Sequence, residues 1–307
     1  MTFIINDRYS LTEYLFESVE DVVPILDRNN SFFYNHLVRF VGHGPEFFRF
    51  SPFNKEDKRK LDKIQENDTI VIFGNNYGLA KYIRRRYPKL KNTYLYLWDP
   101  CYKIFNGRDE IELRRTIVNF VGRCKKIGFS VYTFDEEDAR NYGLGFNKQL
   151  YVDKGITSNI ICENSFIFCG YEKGRMRYIN LFKNLLEPIG TCNFTVVYNQ
   201  TQEIQYDKYV EICLKSRAVC DIVQMNQSGL TMRALEGLFL KKKVITNNKS
   251  ILQSEIFHPN NFFVVDDNTT TENIVDFLSK PYLEMNAKLI ESYTIRKWLN
   301  RFNKLIK

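Results

Sequence analysis

Short apolar runs alternate with helical stretches along almost the whole chain, and this alternation constrains the fold more than any single motif. "DTIVIFG" (68–74), "NTYLYLWD" (92–99) and "FSVYTFD" (129–135) read as strands. They are separated by "YGLAKYIRRRY" and by 112–128, where apolar residues recur at helical spacing up to a closing Gly128. The pattern resumes with "SFIFCG" (165–170), "NFTVVYN" (193–199), "KKKVITNN" (241–248) and "FFVVDD" (262–267). The segments 175–190, 206–220 and "TENIVDFLSK" between them carry the helical period, the first through Met176, Ile179, Phe182, Leu185 and Leu186, the second leading into a short apolar strand at "DIV" (221–223). Strands alternating with helices build a parallel sheet covered on both faces.

A chain of 307 residues is long for one domain and comfortable for two. "GFNKQLYVDKGITSN", within 145–163, shows neither period and marks a boundary. The expected fold class is therefore α/β, with two Rossmann-like domains facing a cleft. Residues 1–155 form the first, 156–280 the second, and 281–307 one or two terminal helices free to pack back on the first. The opening 50 residues, with the aromatic-rich "SFFYNHLVRFVGHGPEFFRF", give no assignable period.

Composition removes several classes. No apolar run approaches the ~20 residues that span a bilayer, and "MTFIINDRYS" lacks the basic and apolar regions of a secretory signal. The seven cysteines (Cys101, Cys124, Cys162, Cys169, Cys192, Cys213, Cys220) are odd in number, and no pair has CxxC spacing. They read as small buried hydrophobes of a reducing, cytoplasmic compartment. With the three histidines also scattered, no metal centre is expected. The net charge of +8 points to an anionic partner. The basic residues are dispersed, however, and no nucleic-acid-binding signature accompanies them, so nucleic acid is not expected as the ligand.

Three features suggest where an anion would sit. In "FCGYEKGRMR" (168–177), Lys173 and Arg175 bracket a glycine-loosened turn just before a helix, and helix N-termini attract anions. An ordinary strand-to-helix loop with exposed cations is the competing reading. In "QMNQSGLT", Ser228 or Thr231 can cap the next helix, Gly229 permits close backbone approach, and the backbone from Gln227 through Leu230 can face a phosphate. A well-capped helix explains Ser228 and Thr231 without any ligand. Glu236, beside the packing face made by Leu235, Leu238 and Phe239, suits a pair of ribose hydroxyls, although most glutamates are simply solvated. Taken together these features look like a nucleotide site. Neither GxGxxG nor GxxxxGK[ST] occurs, so dinucleotide and P-loop chemistry find no support.

From "SFIFCGYEKGRMR" through "SGLTMRALE" to "IFHPNNFFVVDD", the chain resembles the donor domain of GT-B-type bacterial glycosyltransferases. More narrowly it resembles a group of lipopolysaccharide and capsular polysaccharide biosynthesis proteins, to which "TFDEEDARNYGL" and "FNKQLY" are also similar. The resemblance covers roughly residues 90–267, and "SGLTMRALE" is its most specific piece. It implies sugar transfer from a nucleotide-activated donor to a glycan or lipid-linked acceptor. No cofactor is needed beyond the nucleotide sugar as co-substrate. Glu236 matches the family's ribose-binding glutamate, and Lys173 and Arg175 match cations expected at the diphosphate. Many relatives carry a second glutamate eight residues before the first. Here that position is Ser228, which weighs against a retaining mechanism.

No Asp-x-Asp occurs, so metal-independent transfer is the expectation, with cations and helix ends stabilising the leaving diphosphate. An inverting enzyme needs a base. Asp99, at the carboxyl end of "YLYLWDP", is the first candidate, with a turn-stabilising role before Pro100 as its rival. His43 in "GHGP" and Asp135 in "TFDEED" are weaker candidates, since Asp135 and Asp138 are well placed to cap a helix. A nucleotide-sugar-binding protein without catalysis is the alternative. Peripheral contact with the anionic inner face of the cytoplasmic membrane is a further expectation. It would run through Arg296, Lys297, Arg301, Lys304 and Lys307, unless these line a solvated helix face.

Overall fold

The computed structural model describes residues 1–6, 10–17, 19–20, 22–25, 53–155, 162–163, 165–224, 227 and 229–303. The chain forms two compact units, Met1–Lys148 with Trp298–Lys307, and Gln149–Lys297. Among the described residues, no helix is long and apolar enough to cross a membrane.

The first unit is built on a parallel sheet of β1 (Thr2–Ile5), β2 (Val22–Ile25), β3 (Thr69–Phe73), β4 (Asn92–Leu97), β5 (Ser130–Thr133) and β6 (Gly145–Phe146), in the order β2-β1-β3-β4-β5-β6. "TFII" and "TIVIF" are buried along their whole length, as central parallel strands require. β2, with Pro24 in it, sits at the edge, where a missing N–H is tolerated. The crossover helices Tyr77–Arg86, Glu110–Lys126 and Glu136–Tyr142 start at Asn76, Asp109 and Asp135, whose side chains accept from the first-turn N–H groups. Gly143 ends the last of these at φ 67°, a left-handed cap that glycine adopts without strain.

Near the chain end, Trp298 and Phe302 are fully buried against this sheet. Their rings lie 5.0 Å from Tyr96 and 4.8 Å from Tyr94, and the Tyr94 hydroxyl donates to the Phe302 carbonyl at 3.1 Å. Arg301 points the same way, its Nε donating to Asn147 Oδ1.

The second unit holds β7 (Ser165–Tyr171), β8 (Thr191–Val197), β9 (Ala218–Asp221), β10 (Lys243–Thr246) and β11 (Phe262–Val264), all parallel, in the order β11-β10-β9-β7-β8. Helices Met176–Leu186, Tyr206–Lys215, Met232–Phe239 and Thr271–Ser279 cover it. The segment expected to run helically from 206 to 220 splits. The helix stops at Lys215, where the Ser216 hydroxyl donates back to the Ile212 carbonyl, and "AVCD" becomes β9, the middle strand. Full burial between β7 and β10 is what draws this short apolar run out of the helix. Gly237 lets Met232–Phe239 lie close on the sheet. A Cβ there would stand 2.1 Å from Val244 Cγ2.

In each unit the first strand lies between the second and the third. Strand order reverses between β1 and β3 and again between β7 and β9. Open α/β sheets bind ligands beyond the carboxyl ends of the strands at that reversal.

Candidate nucleotide site at the β7–β9 reversal

β7 ends in a tight turn. Lys173 (φ 39°) and Gly174 (φ 77°) are both left-handed, and Arg175 N closes the turn on the Glu172 carbonyl at 2.9 Å. Glycine takes this conformation freely, and Lys173 takes it at some cost. Arg175 then occupies the N-cap of Met176–Leu186 without any side-chain cap bond, so the first N–H groups of that helix are left for other acceptors. Lys173 is exposed, with Nζ 5.3 Å from the centroid of the Tyr171 ring.

β9 ends in Asp221, which is 1% exposed and is the hub of a buried network. Oδ1 accepts from Arg233 Nε at 3.0 Å and Thr231 Oγ1 at 2.9 Å, while Oδ2 accepts from Thr246 Oγ1 at 3.0 Å. Thr231 also caps Met232–Phe239, accepting from Ala234 N at 3.1 Å. The loop between is tied down from β10's end. Asn247 exchanges two bonds with the Val223 backbone, at 2.7 and 3.1 Å, and Asn248 Nδ2 donates to the Gly229 carbonyl at 3.4 Å.

The two turns bring a pair of cations together. Arg175 Nη1 and Arg233 Nη2 both donate to the Ile222 carbonyl, at 2.9 and 3.2 Å. Both guanidiniums lie over the Phe168 ring, 5.9 and 5.5 Å from its centroid. They converge above Gly170, where a Cβ would stand 3.4 Å from Arg175 Nη1 and 3.5 Å from Arg233 Nη1. Arg233 keeps its charge because the Asp221 carboxylate outweighs burial, which holds its pKa above the ordinary value. Arg175 has no such partner. Burial, with Arg233 alongside, pulls it down to about 10, and its buried Nε has no hydrogen-bond partner. Against the single Asp221 carboxylate the two guanidiniums leave one positive charge in excess, which an anion would balance.

Glu236, one turn along the same helix from Arg233 and coupled to it electrostatically, lies deeper. It is 1% exposed and accepts from Tyr206 at 2.6 Å on Oε1 and from Tyr209 at 2.7 Å on Oε2. Tyr206 also reaches the Tyr151 hydroxyl at 3.3 Å. Burial raises the pKa of Glu236, and the two phenol hydrogen bonds work against that rise.

The residues expected from sequence therefore separate. Arg175, Thr231, Gly229 and Leu230 flank the β7–β9 reversal, Lys173 stands on its rim, and the half-buried Gln227 lies in the loop with its N–H on the Gln224 carbonyl at 3.2 Å. Glu236 is held under the helix by tyrosines. In the first unit, Asp99 is exposed just beyond β4. Asp135 is buried beyond β5 and caps its helix, accepting from Glu137 N at 2.9 Å and Asp138 N at 3.1 Å. Asp138 instead accepts from Cys101 N at 2.7 Å, at the start of the short helix Cys101–Ile104. His43 and Ser228 lie outside the described residues. Arg233 and Asp221 went unread in the sequence. A charged residue closing an apolar strand was the available signal for Asp221.

Fold and site together define an α/β protein of two Rossmann-like units, GT-B-like in type. No family model matches the sequence, and no curated protein is detectably similar to it. Thirteen chains of known structure do match. HepE of Anabaena, solved in complex with UDP, superposes with a TM-score of 0.53 at 9% identity, over 100% of this chain and 99% of that one. AviGT4, a glycosyltransferase involved in avilamycin A biosynthesis, gives 0.49 at 9% identity over 78% and 85%. An α,α-trehalose-phosphate synthase (UDP-forming) from Burkholderia vietnamiensis gives 0.48 at 11% identity over 99% and 96%. At such identities the likeness is one of fold.

Proposed function

We propose that this protein transfers a sugar from a nucleoside-diphosphate donor to a glycan or lipid-linked acceptor, in the making of a surface polysaccharide such as lipopolysaccharide or capsule. The observation that carries the reading is the convergence of Arg175 and Arg233 over Gly170 at the strand-order reversal, beside a helix N-terminus with no side-chain cap. The leaving group of such a transfer is a diphosphate. Preorganised guanidiniums and backbone N–H groups stabilise its growing charge without reorganising. The UDP bound in HepE, which shares the fold, supports the same ligand class here.

Arg175 takes the diphosphate, and Arg233, held by Asp221, sets its position. Lys173 adds a third cation from the rim. The Gln227–Thr231 loop offers backbone amides. Glu236 fixes Met232–Phe239 through Tyr206 and Tyr209, and its remaining lone pairs are the ones a ribose would use. Asp99, exposed at the carboxyl edge of the first sheet, is the proposed base that takes the acceptor's hydroxyl proton in an inverting, metal-independent transfer. His43 and Asp135 are the lesser candidates for that role, and the capping bonds of Asp135 occupy one of its oxygens. The reaction belongs on the cytoplasmic side, at the inner face of the membrane where lipid-linked acceptors reside.

A thermal-shift screen with UDP, GDP, CMP and their sugars tests the reading. A melting temperature that rises with the concentration of one nucleoside diphosphate, followed by release of that nucleotide on adding acceptor, is the expected result. No shift with any nucleotide sinks the proposal. A shift without turnover on any acceptor leaves a binding protein.

A further inference from the structure

The helix Glu110–Lys126 packs Ile117, Phe120 and Cys124 on the first sheet. Its opposite face is unusual. Residues 111, 114, 115, 118, 125 and 126 recur three, four and seven apart, so they share one side. All six are exposed: Ile111, Arg114, Arg115, Val118, Lys125 and Lys126. Ile111 is 81% exposed and Val118 49%, high values for β-branched aliphatics on an otherwise well-packed helix. No carboxylate stands among them. Glu110 and Glu112 stand at the margin, one turn before Arg114 and Arg115, and Glu112 is engaged by Arg108 at 3.0 Å. Among the described residues none of the four cations makes an ion pair. The face is thus a stripe roughly 22 Å long with two aliphatic side chains along its middle and four cations beside them, acidic residues standing only at its amino-terminal margin.

We infer that this face is the protein's docking surface for an anionic phospholipid bilayer, with the helix lying in the plane of the headgroups. Charge complementarity selects the occupant. Cations near such a surface are drawn to acidic lipid, and aliphatic side chains between them gain by entering the acyl boundary. A nucleic acid would use the cations but has no place for Ile111 and Val118. The terminal helix, expected to make this contact, is less suited, because Trp298, Phe302 and Arg301 are turned onto the first sheet and Lys297 is paired with Glu291 at 2.9 Å. The inference does not depend on sugar transfer, though it would place such an enzyme at its lipid-linked acceptor.

The test is co-sedimentation of the full chain with vesicles of phosphatidylcholine alone, or with about one third phosphatidylglycerol. Binding to the anionic vesicles, at least roughly tenfold stronger than to the neutral ones and weakened by salt, is expected. Ile111→Asn with Val118→Asn should weaken it about tenfold, and so should Arg115→Glu with Lys126→Glu. Lys208→Glu with Lys215→Glu makes the same change in net charge on the second unit and should leave binding within about twofold. Ile111→Ala with Val118→Ala, which keeps helix propensity, must move binding in the same direction if the asparagine pair melts early. Equal binding to both vesicles, no loss with the aliphatic variants, or equal loss with the second-unit variants overturns the inference. So does tight oligonucleotide binding that needs the cations but not Ile111 and Val118. Nucleotide-induced thermal shifts on the same samples show separately whether the donor site stands.

Discussion

The two sheets have the same parallel strand order and differ sharply at their carboxyl edges. The first presents Asn75, Asp99 and Asp135 at the ends of β3, β4 and β5, with the half-buried Arg301 held on Asn147 just past β6. The second presents Arg175 and Arg233 in the interior and Lys173 on the rim, balanced by Asp221. A shared topology fixes where loops gather, and side chains decide what they bind. An edge with excess positive charge suits a diphosphate. An edge with free carboxylate suits a neutral hydroxyl that must lose a proton. Under the proposed function, this difference assigns the donor to the second edge and the acceptor to the first.

That contrast can be broken most severely at Asp221. Asp221→Ala leaves Arg233 buried without its partner, next to a second guanidinium, and removes the anchor of Thr231 and Thr246. Loss of one member of a buried pair costs about 3–5 kcal/mol. Urea denaturation should show a fall of that size. A fall under 1 kcal/mol would mean the network does not organise the second edge.

Asp99→Asn probes the first edge. The side chain is exposed, so stability should hold within ~0.5 kcal/mol. Turnover should fall by about 10²–10⁴-fold with nucleotide affinity unchanged, the signature of a lost general base. Full activity in this variant removes Asp99 from the mechanism and turns attention to His43.

Arg175→Met tests the second edge by the opposite pattern. Removing one charged hydrogen-bond partner should cost ~1.5–3 kcal/mol in nucleoside-diphosphate affinity, about 10–150-fold by calorimetry. Stability should stay level or rise, because an apolar chain of similar reach replaces a desolvated guanidinium pressed against Arg233. Residues kept at a cost to stability mark function. Strong destabilisation with unchanged affinity would make Arg175 a structural residue.

Legibility in the sequence followed locality. β3, β4, β7 and β8 declared themselves as long apolar runs bounded by turns. β1 and β2 did not: each is four residues long, and the second contains a proline that only an edge position accommodates. The strand at "DIV" begins three residues earlier than the pattern places it, because "AVC" fits either period and burial between two strands decides it. The site divides in the same way. Lys173, Arg175 and Thr231 sit at a turn and two helix starts, positions with their own residue preferences. Arg233 and Asp221 meet across twelve positions only because a helix returns beside its strand. Tyr206 and Tyr209, three apart on one helix face, were a readable pair of inward donors, but the carboxylate they hold belongs to another helix.

The smallest effect comes from the amino edge of the second sheet, where a buried cation stands at the far end of the strands from Arg175. Lys243 Nζ donates to the Phe277 carbonyl and lies 4.5 Å from that residue's ring centroid. Burial, with Arg217 and Lys280 nearby, lowers its pKa from 10.5 to about 8. The unfolded chain keeps this proton up to the ordinary lysine range, whereas the folded chain releases it from about pH 8. Between those values the unfolded state binds more protons, so the contribution of Lys243 to stability rises with pH. The stability difference between wild type and Lys243→Met should therefore shift toward wild type from pH 8 to pH 10, by on the order of 1 kcal/mol in urea denaturation. Taking the difference cancels the tyrosines and cysteines that titrate in the same range. Nucleotide affinity should not change, since this cation stands at the opposite end of the strands from Arg175. A flat difference would show that Lys243 keeps its proton in the fold, and lost affinity would show that positive charge acts along the whole second sheet rather than at one edge.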